Sequence, residues 1–238
     1  MRIGLLSDAH GNAFGLERCL QAMAGLSAGR LYFLGDAVGY LPGEQDVLAL
    51  LKDSGIICQM GNHEAMLLGR LRPHPENEPI YRHSAAFERL GSAGLAAVSD
   101  WPASREVVLD GRRLLLVHGS PSNVLEGYCY PDSGLSEFED LPYDAVFMGH
   151  THRPFVRRAG NVLAVNVGSC GLPRDQGNAL AFAVYDSQTN HAEIYRLLFD
   201  PAEVLQRYGD AVHDFVRRCF ERRLPAGTAA GQFLSGWS

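Results

Sequence analysis

Short apolar runs that end abruptly in polar residues recur along the first two thirds of the chain. Ile3-Gly4-Leu5-Leu6 lies in a run over residues 2–7 that stops at Ser7-Asp8-Ala9-His10-Gly11-Asn12. Leu31-Tyr32-Phe33-Leu34 stops at Gly35-Asp36, and Ile56-Ile57-Cys58-Gln59-Met60 stops at Gly61-Asn62-His63-Glu64. Runs of this length, bounded by glycine and asparagine, read as buried strands feeding tight turns. Between them, Leu16, Leu20, Met23 and Leu26 mark the apolar stripe of a helix over 14–27, and residues 43–53 read as a second helix after Pro42. Residues 64–100 read as irregular and helical, with helices over 82–90 and 94–99. His74 and His83 there are expected to be solvated or packed. Residues 105–109 and 112–117 flank Asp110-Gly111, a strong hairpin signal. A long loop over 119–140 follows, then strands over 144–148 and 161–167. A β-hairpin is expected over 180–185 and 192–198, a terminal helix over 201–220 and a frayed tail over 225–238. His191 and His213 read as surface residues. The whole is one domain over 1–224, with strands and helices alternating as in α/β folds.

The polar residues at the strand ends are chemically alike. Asp8 and His10 stand two apart, as do His150 and His152 in Gly149-His150-Thr151-His152, so each pair projects to one side of extended backbone. Asp36, Asn62 and His118 stand at three further strand ends, where α/β sheets place their sites. Two carboxylates, one amide and four imidazoles are too many for one tetrahedral ion. They suit two ions sharing Asp36 as a bridge, and a thiolate-free His/Asp set favours Mn, Fe or Zn over Ca. Such a pair, ~3.5–4 Å apart, activates water and clamps the oxygens of a phosphoryl displacement.

Composition narrows the field. The 238 residues are 46% hydrophobic and 20% charged, as in an ordinary globular protein. A net charge of −6 argues against a broad nucleic-acid surface. Lys52 is the single lysine among 21 basic residues, so arginine or metal must supply positive charge to an anionic substrate. The five scattered cysteines form no CxxC and suit a reducing, cytoplasmic setting. No apolar run approaches the ~20 residues of a membrane span.

Asp8-Ala9-His10, Gly35-Asp36, Gly61-Asn62-His63-Glu64, Val117-His118-Gly119 and Gly149-His150-Thr151-His152 together resemble the five ordered signatures of the calcineurin-like metallophosphoesterase superfamily. Asn166-Val167-Gly168-Ser169 through Pro173-Arg174-Asp175 resembles a stretch of its small bacterial phosphoesterase and protein-phosphatase-like members. The resemblance implies a four-layer α/β/β/α sandwich of two mixed sheets flanked by helices. It implies one cation held by Asp8, His10, Asp36 and His152, and a second by Asp36, Asn62, His118 and His150. By its place in the motif, His63 is the general acid or a transition-state donor, while Glu64 is an orienting or helix-capping partner. Asn12 is read as a phosphate contact. The implied reaction is in-line attack of a metal-bridging hydroxide on a phosphodiester or phosphomonoester. The substrate is then a small phosphate ester, a nucleotide or a phosphoprotein.

The chain departs from the pattern once. Where many members carry GDxxDR, it reads Gly35-Asp36-Ala37-Val38-Gly39-Tyr40. The carboxylate partner of His63 and the arginine clamp are both gone. Arg153 or Arg174 is read as a substitute clamp and Tyr40 as a pocket wall. The alternative to an enzyme is a catalytically silent metal-binding scaffold or interaction protein; retention of all seven ligand positions weighs against it.

Overall fold

The computed structural model describes residues 1–225 and 227–234. Its elements, in chain order, are β1 (Arg2–Leu6), α1 (Ala13–Ala24), β2 (Arg30–Phe33), α2 (Glu44–Asp53), β3 (Ile57–Cys58), α3 (Asn62–Leu67), α4 (Glu78–Tyr81) and α5 (His83–Ser99). There follow β4 (Ser104–Leu109), β5 (Arg112–Val117), β6 (Ala145–Met148), β7 (Phe155–Ala159), β8 (Val162–Asn166), β9 (Ala179–Asp186) and β10 (His191–Leu198). The chain closes with α6 (Pro201–Tyr208), α7 (Asp214–Glu221) and β11 (Gln232–Phe233).

Two mixed sheets face each other. The first runs β11-β10-β9-β1-β2-β3 and the second β4-β5-β6-β8-β7. In the first, β1, β2 and β3 are parallel; in the second, β5, β6 and β8 are. Alternation sorts the side chains between layers. Ile3, Leu5, Leu116, Phe147, Val165 and Tyr185 fill the space between the sheets. Leu6, Phe33 and Phe182 face outward beneath α1, α2, α5, α6 and α7. The outer face of the second sheet is covered by the segment over 119–141, which buries Cys129, Leu135 and Phe138 and contains one 3₁₀ turn, Ser136–Phe138. That long loop is thus a packed layer as well as a flank of the site.

Several expected elements change shape at glycines. The terminal helix expected over 201–220 is two helices, because Gly209 takes φ 52° between α6 and α7. The two helices expected over 82–90 and 94–99 are both present within α5, separated at Gly91, whose φ of 57° and ψ of −168° are not helical. The strand expected over 56–60 shortens to two residues, and the Gly-Asn turn opens a short helix, α3. Strand β7, which sequence reading left unassigned, pairs antiparallel with β8. In the tail, Gln232–Phe233 pairs with β10; residues 226 and 235–238 of that stretch lie outside the described residues.

All six parallel strands point their carboxyl ends to one rim. Glu64, fully buried, ties two of those ends together. Its Oε2 accepts from Gly61 N, capping α3, and from Asp36 N, both at 2.8 Å. Its Oε1 accepts from Ala37 N at 2.7 Å and Val38 N at 3.2 Å. Glu64→Gln turns one acceptor oxygen into a donor facing backbone N–H groups. We expect it to cost about 2–3 kcal/mol, read as a lower urea midpoint at unchanged slope. A change within about 0.5 kcal/mol, as for an ordinary surface position, would contradict this role.

Candidate metal centre

The turns after the strands force side chains inward by an uncommon backbone route. Six of the ten described non-glycine residues with positive φ lie here: Asp8 (59°), His10 (48°), Asp36 (62°), Tyr40 (65°), His150 (64°) and His152 (57°). Left-handed backbone is disfavoured for L-residues, and strain of this kind clusters at functional sites. Close approach adds a second constraint. A Cβ on Gly61 would sit 2.2 Å from Asp36 Oδ1, so only glycine lets the turn after β3 close onto that carboxylate.

The turns bring Asp8, His10, Asp36, Asn62, His118, His150 and His152 together, each no more than 6% exposed. Three imidazoles are oriented by backbone carbonyls. His10 Nδ1 donates to Val38 O at 3.0 Å, His118 Nδ1 to Leu34 O at 2.9 Å and His152 Nδ1 to Leu172 O. A neutral ring that donates from Nδ1 carries a bare lone pair on Nε2. Those Nε2 atoms converge. His10 and His152 Nε2 lie 3.1 Å apart, and His118 Nε2 lies 3.2 Å from Asp36 Oδ2 and 3.0 Å from Asn62 Oδ1. His150 Nδ1 is 3.0 Å from the same Asn62 oxygen. Asp8 Oδ1 and His150 Nε2 are buried without a hydrogen-bond partner.

Two triads stand out, Asp8/His10/His152 and Asp36/His118/His150, each with ligand atoms within 4.8 Å of one another. His10, Asp36 and His63 form a third such group between them. Lone pairs facing lone pairs in a dry pocket repel. A cation resolves that, so the donor set fits metal, with carbonyl partners holding the ring tautomers as they do around bound metals.

The electrostatics agree. Burial alone would raise the pKa of both carboxylates, but His152 and His10 hold Asp8, and His118 and His63 hold Asp36, well below the usual range. Burial lowers His150 to about 3 and His152 to about 4, keeping both neutral and ligand-competent. His118 is the exception: burial, the largest influence, lowers it, but Asp36, Asp8 and Glu64 together push it up to about 9, so its Nε2 carries a proton toward Asp36 that a cation would displace.

His63 lies beside this cluster, its Nε2 4.0 Å from Asp36 Oδ2. Burial holds its pKa well below the ordinary value, Asp36 pulling the other way and His10 and His83 adding to the lowering. Its Nδ1 is 3.0 Å from His83 Nε2. The position that carries a carboxylate in many GDxxDR chains is Gly39, where a Cβ would lie 2.5 Å from His63 Nδ1. His83, expected to be merely packed, takes up that same Nδ1 instead. His83 Nδ1 is buried without a partner. An orphaned acceptor is tolerated better than an orphaned N–H, so His83 carries its proton on Nε2 and donates it to His63 Nδ1. His63 then keeps its own proton on Nε2, toward Asp36. The signal for this pairing was the missing carboxylate itself, but choosing between His74 and His83 needed the path of α4 and α5.

The remaining candidates divide. Tyr40 lines the site: it is 3% exposed, with its ring centroid 4.6 Å from His10 and 5.1 Å from His63. Arg174 donates to Tyr40 OH at 2.7 Å and keeps a buried Nε without a partner. Arg153 is exposed and turned over the Tyr130 ring, 5.6 Å from its centroid. Asn12 does not reach the centre. Its Oδ1 caps α1 from Gly15 N and its Nδ2 donates to Gly171 O, which uses up a fully buried amide. Asn166 and Ser169 support the rim: Asn166 Nδ2 donates to Gly149 O, and Ser169 Oγ to Asp8 O.

Comparison with known proteins gives the same picture. The profile of the calcineurin-like phosphoesterase superfamily domain matches residues 1–190. A phosphodiesterase from Escherichia coli is 26% identical over 193 residues, covering 79% of this chain and 88% of that protein. An uncharacterized protein from Methanocaldococcus jannaschii is 26% identical over 222 residues, covering 83% and 88%. Among solved structures, a hypothetical protein from Pyrococcus horikoshii superposes with a TM-score of 0.81 at 19% identity, covering 92% of this chain and 97% of its own. A metallophosphoesterase from Sphaerobacter thermophilus gives 0.76 at 24%, covering 93% and 99%. With the five motifs, the paired sheets and the profile in agreement, the chain belongs to the calcineurin-like phosphoesterase superfamily.

Proposed function

We propose that the protein is a cytoplasmic, dinuclear metal-dependent phosphoesterase acting on a phosphodiester or phosphomonoester. The observation that carries this reading is the convergence of bare imidazole nitrogens and two carboxylates at one buried rim. Asp8, His10, Asp36 and His152 would hold one Mn, Fe or Zn ion, and Asp36, Asn62, His118 and His150 the other. When bound, such ions lower the pKa of a water at the site and offset charge on the phosphoryl oxygens.

The chain's own groups do the rest. Asp36, fixed by the His63 amide at 2.9 Å from its Oδ1, spans the two triads. His63 stays neutral, so it serves as a hydrogen-bond donor from Nε2 to the oxygen that gains charge rather than as an imidazolium acid. His83 fixes the tautomer and the plane that make this possible. Arg174, uncompensated by any carboxylate among the described residues, supplies the cation that a lysine does not, and Tyr40 holds its guanidinium.

Two measurements test this. Purified protein should hydrolyse bis(p-nitrophenyl) phosphate or p-nitrophenyl phosphate when Mn²⁺ is added and stop on chelation. No turnover of either, with metal demonstrably bound, would contradict the reading. His63→Ala should lower kcat about 10²–10⁴-fold with KM little changed, and His83→Ala about 10–100-fold. For His83→Ala the loss should be larger with an alkyl than with a nitrophenyl leaving group, and free imidazole should restore part of it. Equal losses on both substrates would make His83 a packing residue only.

A further inference from the structure

Beside the metal centre lies a cavity of about 530 Å³ whose wall holds Arg153, Arg174, Arg222 and Arg223. Among the described residues its only acid, Asp175, is already neutralised by the buried Arg196, with contacts of 2.7 and 3.0 Å. Arginine ion pairs among the described residues include Arg89–Glu44, Arg112–Asp144, Arg113–Glu106, Arg196–Asp175 and Arg207–Asp46. None involves the four cavity arginines. In a chain of net charge −6, four uncompensated guanidinium groups on one concavity repel one another unless an anion joins them. Local bonds hold them there: Arg222 Nη1 donates to Arg174 O at 3.2 Å, and Arg223 Nη1 to Phe220 O at 2.7 Å.

The cavity and the metal centre share a wall. Arg174 lines the cavity, bonds Tyr40 at the centre, and donates its backbone N–H to His152 O at 3.3 Å. On the other side, a ladder of rings leads outward. Tyr128 stands 4.3 Å from His150, Tyr130 stacks 5.8 Å from Tyr128 at 15°, and Arg153 covers Tyr130. Tyr128 is 58% exposed and Tyr130 36%. Tyr130 is occupied by Tyr128 and Arg153, so the more exposed Tyr128, next to the phosphoryl site, is the ring that suits a flat partner.

We propose that this cavity is a second anion subsite, and that the substrate is a nucleotide-like ester with at least one phosphate beyond the one attacked. The additional phosphate lies among Arg153, Arg222 and Arg223, with Arg174 between the two sites, and the aromatic base packs against the exposed Tyr128, which Tyr130 backs. Guanidinium forks bind phosphate oxygens in pairs, which suits this chain's near-total use of arginine over lysine. The assignment rests on the phosphoesterase reading for the position of the attacked phosphate. Its test therefore reads binding rather than turnover.

Isothermal titration of the full-length protein as purified compares orthophosphate, tripolyphosphate and the β,γ-imido analogue of adenosine triphosphate at fixed ionic strength. Tripolyphosphate should bind at least about tenfold more tightly than orthophosphate. Arg222→Ser/Arg223→Ser should remove that advantage, and Arg222→Lys/Arg223→Lys should keep part of it. The adenosine analogue should bind several-fold more tightly still, and Tyr128→Ala/Tyr130→Ala should erase that increment alone. Equal affinity for the two inorganic anions, or an advantage that survives the serine variant, would overturn the subsite. An adenosine analogue no tighter than tripolyphosphate would overturn the nucleotide assignment. Each result stands whether or not the protein turns over an aryl phosphate.

Discussion

The molecule depends on holding lone pairs against each other in a dry place. His10 and His152 present Nε2 atoms 3.1 Å apart, with Asp8 and Asp36 alongside, all four no more than 1% exposed. Neutral rings whose Nδ1 protons are committed to carbonyls have nothing to share across that gap. The backbone is arranged against its own preference to achieve this, since five of the seven ligand positions take positive φ, each at roughly 1 kcal/mol or more. Structure of this kind survives only when the surroundings over-determine it. Two packed sheets do so here, and a cation is the group that would turn the repulsion into binding.

The supporting contacts explain why so much of the chain is committed to one rim. Glu64 ties the ends of β2 and β3 through four backbone donors. Ser169, in the turn after β8, and Asn166, the last residue of that strand, brace the loops that carry Asp8 and His150. Second-layer bonds of this sort fix ligand rings before any ion arrives. They also account for the buried Gly-Ser stretch at 168–171, where Ser169 Oγ, Cys170 N and Gly171 N donate to Ser7 O and Asp8 O in the loop after β1. His83 extends the same logic to His63: where a carboxylate is missing, an imidazole from α5 holds the ring in place.

Much of this was legible in the chain itself, for a physical reason. Apolar runs that end in Asp, His or Gly-Asn mark strand ends, and strand ends in parallel sheets share one edge, so the seven ligand candidates could be grouped without coordinates. What stayed hidden depends on tertiary path. Gly209, at φ 52°, breaks the helix that reads as continuous over 201–220, whereas the break at Gly91 falls between the two helices expected there. Strand β7 carries Arg157 and Arg158 at its centre and lacks a clear alternation. Asn12 looked available because it follows His10 and Gly11, yet the start of α1 needs its oxygen as a cap. Arg153 follows a ligand in sequence but points away from the centre, while Arg174, twenty-one positions on, returns to it. The four arginines of the cavity come from three separate segments, and no local pattern announces it.

The central claim, that the rim is built to hold a pair of cations bridged by Asp36, is tested most directly by anomalous diffraction from crystals grown with Mn²⁺, using data on both sides of the Mn edge. Two anomalous peaks are expected roughly 3.5–4 Å apart, one within the Asp8/His10/His152 triad and one within the Asp36/His118/His150 triad, with Asp36 touching both. A single peak, or peaks away from these side chains at saturating metal, would contradict it.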